Sequence, residues 1–97
     1  MIKRWPKIST VLIQEPNEFY KFIFPVGTTG YCLSARTQSE FKFAYKPEEF
    51  ENGDYVTVHS REEKPVKEVQ MQQDEADRTI YLSCIVKGET IEIEYWK

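Results

Sequence analysis

The feature that most constrains this chain is alternation. Apolar and polar residues trade places with period two in segment after segment, and no apolar stripe recurs at helical spacing for three turns. Such a pattern distributes side chains over the two faces of short strands. Near the C-terminus Ile80, Leu82, Cys84 and Val86 alternate with Thr79, Tyr81, Ser83 and Ile85. Ile91, Ile93 and Tyr95 then alternate with Thr90, Glu92, Glu94 and Trp96. A two-residue turn at Lys87-Gly88, with the glycine free to take positive φ, joins the two runs as a hairpin. Its register sets Cys84 against Ile91, Leu82 against Ile93 and Ile80 against Tyr95, with the apolar set on one face.

Two further hairpins are expected. Residues 9–14 and 19–24 flank Glu15-Pro16-Asn17-Glu18, where Pro16 suits the second position of a type I turn. Val11 then faces Phe22 and Ile13 faces Tyr20. Residues 31–36 and 40–46 flank Thr37-Gln38-Ser39, which pairs Leu33 with Phe43 and Tyr31 with Tyr45. Pro47-Glu48-Glu49-Phe50 reads as a single helical turn, because proline is favoured at a first helical position and acids in a first turn. Asn52-Gly53 is a turn, and residues 54–60 form a strand with Val56 and Val58 on one side. A charged loop at 61–65, a weaker strand at 66–72 and a mobile loop at 73–77 follow.

Seven or eight short strands with turn signals at roughly 8–12-residue spacing define an all-β chain. The expected architecture is a small antiparallel β-sandwich or a partly open β-barrel with at most one short helical turn. At 97 residues the whole length, 1–97, forms a single domain. Apolar residues make up 40% and charged residues 30%, a globular balance that excludes the disordered and fibrous classes. No apolar run approaches the ~18 residues of a membrane span. Residues 1–7 carry charge with no apolar stretch behind them, so no signal peptide is expected. The chain reads as cytoplasmic, with no membrane partner.

The sequence offers little chemistry. His59 is the single histidine, read as an exposed strand residue; a thiol dyad with Cys32 or Cys84 is the competing reading. The two cysteines lie 52 positions apart without paired ligand spacing, which argues for two reduced thiols, one of them buried, and for no metal, with one disulfide between them as the alternative if their strands lie side by side. Asp74-Glu75-Ala76-Asp77 spells a helicase tetrapeptide, but no phosphate-cradling Gly-x-x-x-x-Gly-Lys loop accompanies it. The four glycines form no dinucleotide fingerprint. The expectation is therefore a protein that is not an enzyme and takes no cofactor.

What remains is surface. Net charge is −3, divided as +2 over residues 1–50 and −5 over residues 51–97, a balance that disfavours a general nucleic-acid coat. Phe19, Ile23, Tyr81 and Trp96 fall on faces opposite the expected core, where a solvated sheet should read polar. They are the candidate partner-binding residues, unless the fold itself covers them. The expected function is a small non-catalytic module that binds another protein, of the accessory or inhibitory kind found in phages and mobile elements, with homodimer formation as one form of it. The alternative is a small barrel that binds single-stranded nucleic acid, stacking bases on aromatics beside Lys21, Lys42 or Lys46.

Overall fold

The structure is a computed structural model that describes residues 7–59, 64–66 (as backbone) and 75–96. Eight strands lie among them: β1 (Lys7–Leu12), β2 (Tyr20–Ile23), β3 (Gly30–Ala35), β4 (Phe41–Ala44), β5 (Val56–Val58), β6 (Lys64–Val66), β7 (Thr79–Cys84) and β8 (Thr90–Trp96). Helix α1 (Glu48–Asn52) separates β4 from β5, and a 3-10 turn (Glu75–Arg78) precedes β7. The strands form two sheets, ordered β1-β8-β3-β6 and β2-β7-β4-β5.

The pairing is nested. β1 pairs with β8, β2 with β7, β3 with β6 and β4 with β5, every pair antiparallel, as though one long hairpin had been rolled up. The contacts β3·β8 and β4·β7 close the roll into two layers. This connectivity is that of a jelly roll. Its register runs unbroken through the first corner. Stepping one residue inward on each arm from Lys7↔Tyr95 arrives at Tyr20↔Leu82 and ends at Ile23↔Thr79. Neither arm gains a residue at the bend, and bonds from Ile13 N–H to Glu89 O and from Gly88 N–H to Ile13 O, both 2.8 Å, carry the ladder into it.

The expected hairpins do not form. β7 and β8 belong to different sheets, and so do β1 and β2, and β3 and β4. Each short connection is a corner between layers instead of a turn within one. Leu82 pairs with Tyr20 and Phe43, not Ile93; Val11 pairs with Ile91; Leu33 pairs with Ile93. The alternation nevertheless identified the inward faces. Tyr31, Leu33, Phe41, Phe43, Ile80, Leu82, Cys84, Ile91 and Ile93 are all buried in one core. An apolar face is satisfied equally by a neighbour in its own sheet or by the opposed sheet about 10 Å away. Val86 departs from the pattern: the strand ends at Cys84, and Val86 is exposed in the corner.

Local chemistry shapes the connections. Asn17 takes φ 64° in the β1–β2 corner and Gly88 takes φ 86° beyond β7, as the turn at Lys87-Gly88 requires. Helix α1 begins after Pro47 and ends at Gly53 in the left-handed conformation, whose N–H returns to Glu49 O. The Glu49 carboxylate accepts from the Tyr45 and Lys46 N–H groups, both at 2.8 Å, and so fixes the helix entry. Residues 75–77, expected in a mobile loop, lie in the 3-10 turn, whose Glu75 carbonyl accepts a 2.7 Å bond from the Thr79 hydroxyl. Lys64 and Pro65, expected in the charged loop, instead open β6, because they pair with Leu33 and Cys32 of β3. Residues 60–63, 67–72 of the weaker strand and 73–74 lie outside the described residues.

One buried carboxylate ties two corners together. Glu89, 1% exposed, follows β7 and reaches the corner after β3. It accepts from the N–H groups of Thr37 (3.1 Å), Ser39 (3.3 Å) and Thr90 (2.9 Å), and from the Thr37 hydroxyl. Burial alone would raise its pKa. The donors of Ser39, Thr37 and Thr90 outweigh burial and hold it down at about 2.

Candidate functional site

Alternation along the β2-β7-β4-β5 sheet sends Lys21, Tyr81, Ser83, Lys42 and Thr57 to its outer face. The register sets Lys21 beside Tyr81, and Ser83 beside Lys42, which in turn neighbours Thr57. Helix α1 brings Phe50 to this side. Its ring stacks on Phe19, just before β2, with centroids 4.6 Å apart and planes 16° from parallel. It also stacks with Tyr55, just before β5, at 6.1 Å and 22°. The Lys42 ammonium lies 4.4 Å from the Tyr55 centroid. Three rings and a cation thus form one column, held by stacking and cation–π attraction.

Two shallow depressions meet at this column. One, about 200 Å³, is lined by the column and by Asn17, Glu51 and Ser83. The other, about 220 Å³, runs from Asn17, Lys42 and Ser83 to Glu40 and Ile85. A visitor meets the Phe19 ring, 46% exposed, beside both signs of charge.

The expected site residues are divided. Phe19 and Tyr81 share the outer face of this sheet. Ile23 shares that face by register but lies at the far end of β2, half-buried opposite Thr79, whose hydroxyl is bonded to the 3-10 turn. Trp96 lies on the outer face of the other sheet, half-buried, with its ring across Gly30; a Cβ on Gly30 would meet that ring at 2.6 Å. The expected hairpin placed Tyr81 and Trp96 on one face, and the corner between β7 and β8 separates them by both layers. Lys21 and Lys42 are on the candidate face, and Lys46 is exposed where the chain leaves β4.

Sequence reasoning did not single out Phe50 and Tyr55. Phe50 did carry a signal, as the one aromatic on an acidic single-turn helix that buries no residue of its own.

The cysteines and the histidine make no shared centre. Cys84 points into the core from β7, whereas Cys32 faces outward on the other sheet. The Cys84 thiol donates to the Glu40 carbonyl at 3.4 Å and accepts from Val86 N–H at 3.4 Å. Burial pushes this thiol's pKa up, the opposite of what a nucleophile needs. His59 is exposed, and its Nδ1 lies 3.1 Å from the Glu40 carboxylate. Among the described residues no three His, Cys, Asp or Glu side chains gather as metal ligands, and no helix is long and apolar enough to cross a membrane.

The fold and this face define a small all-β jelly-roll domain with an aromatic, mixed-charge outer face. The chain matches no protein-family model, no curated protein and no solved structure.

Proposed function

We propose that this protein is a small non-catalytic interaction module that receives another protein on the outer face of the β2-β7-β4-β5 sheet. The observation that carries this reading is the exposed aromatic column edged by both signs of charge. Lys42 stands at one end, with Glu51 and Glu40 at the margins of the two depressions. Protein interfaces favour aromatic anchors within a polar, charge-bearing rim. Single-stranded nucleic acid asks for open ring faces along a basic groove. Here Phe50 is stacked against the two other rings, and carboxylates interrupt the lysines. An accessory or inhibitory role in the cytoplasm, exerted by occupying a partner's surface, is the form of the reading that suits a single small domain.

The test is affinity capture from the native host with the wild type, Phe19→Ser and Glu94→Gln, each with and without nuclease. Glu94 is exposed on the opposite sheet. A defined protein retained by wild type and Glu94→Gln but lost by Phe19→Ser supports the reading. Capture lost on nuclease treatment moves the function to nucleic acid, and equal capture by both variants moves the interface elsewhere.

A further inference from the structure

Among the described residues, four strands form the edges of the two sheets: β1, β6, β2 and β5. An edge presents unpaired N–H and C=O groups, and proteins blunt it with short strands, lysine or proline. Three of these edges carry such guards. β6 contains Lys64 and Pro65. β2 has Lys21 near its middle, and β5 is three residues long. β1 is different. It is six residues long, it pairs only with β8 among the described residues, and after its first residue, Lys7, it has neither charge nor proline from Ile8 to Leu12.

Its outward side chains also match themselves. Ser9 and Val11 turn toward the core side, while Ile8, Thr10 and Leu12 face out from the sheet. Ile8 is 73% exposed and Leu12 52%. In an antiparallel pair, residues directly opposite share a face. A two-fold axis through Thr10 therefore sets each Ile8 against the other chain's Leu12, Ser9 against Val11, and Thr10 against itself. A slip of one residue would oppose outward Ile8 to inward Val11, so the faces exclude odd shifts, and of the even ones the pairing about Thr10 matches Ile8 to Leu12 over the longest uncharged run. No charged side chain enters this pairing between residues 8 and 12, so no like-charge repulsion opposes it.

From this we infer that β1 is a self-association edge. Two copies of the chain join β1 to β1 in antiparallel fashion about Thr10, making one continuous eight-stranded sheet from two four-stranded ones. One six-residue strand buries less than the roughly 800 Å² per partner of a standard interface, so the dimer belongs to the weak, concentration-dependent class. This inference is independent of the face assigned to a protein partner, which lies on the other sheet.

Sedimentation equilibrium of the full chain, from micromolar to millimolar concentration, tests it. The wild type should shift from monomer toward dimer. Leu12→Lys should reduce association at least tenfold while leaving the melting temperature unchanged, because that side chain is exposed. Val26→Lys, an exposed control outside the strand and away from both depressions, should associate like wild type. In a Cys32→Ser background, Thr10→Cys should form a disulfide-linked dimer on mild oxidation. A chain that stays monomeric at every concentration overturns the inference. So does a dimer indifferent to Leu12→Lys, or one in which position 10 does not link.

Discussion

The Glu89 carboxylate lies 3.1 Å from the Thr37 backbone N–H, across 52 positions of sequence, and fastens the corner after β7 to the corner after β3. Both corners cross between the sheets, so this contact closes one end of the sandwich. The buried anion is stable there because backbone and hydroxyl donors surround it.

A pH dependence follows from that contact. The folded-state pKa of Glu89, about 2, lies below the ordinary 4.5, so its contribution is present above pH 4.5. It is lost as pH falls toward 2. The difference corresponds to about 3 kcal/mol. Chemical denaturation of wild type and Glu89→Gln should show the variant less stable by about that amount at pH 7, with the gap closing progressively below pH 4.5. A gap that stays constant with pH would mean that the charge is not what the donors hold.

Leu82 should be among the most sensitive core positions. It is fully buried in β7 between Tyr20 and Phe43. Leu82→Ala should cost about 2–5 kcal/mol, a large part of the ~5–15 kcal/mol available to a domain of this size. Thermal unfolding measures it; an unchanged melting temperature would mean that the β2-β7-β4 packing is absent.

Gly30 and Trp96 should behave as a coupled pair. With the indole 2.6 Å from the position of a Cβ, Gly30→Ala must displace the ring, at a cost of about 1–3 kcal/mol. In a Trp96→Ala background the same substitution should cost much less, because the obstacle is gone. Equal costs in both backgrounds, read by denaturant midpoints, would show that the ring does not rest on Gly30.

The two thiols should differ in reactivity. Cys84 is buried with its pKa raised, whereas Cys32 is half-buried on an outer face. A chromogenic disulfide reagent at neutral pH should label Cys32 first and Cys84 only on unfolding. Reductant should leave the melting temperature unchanged, since Cys84 faces the core and Cys32 the outer side of the other sheet, so no bond joins them. Labelling of both at one rate in the folded protein would contradict the burial of Cys84.

Period-two alternation by itself determined that the chain is all-β and which face of the central strands turns inward, though Tyr45, Val56 and Val86, in phase with buried residues, are exposed. Ile80, Leu82, Ile91 and Ile93 are buried as the pattern demands, and the helical turn after Pro47 forms where the proline and its acids place it. Partner choice was not legible in the same pattern. A strand with one apolar face is satisfied by a neighbour beside it or by a sheet across from it, and alternation is blind to the difference. One signal was present: a two-residue turn at Lys87-Gly88 sets Glu89 opposite Val86, an acid against an aliphatic on the supposed core face. The structure reverses that pair, burying Glu89 and exposing Val86. Tertiary structure alone decided this, because the donors that make a buried carboxylate stable come from Thr37 and Ser39, and only the rolled topology brings them to it. The same topology sent Trp96 to one outer face and Tyr81 to the other. It also gathered Phe19, Phe50 and Tyr55 from three separate segments into one column, which no local spacing could have shown.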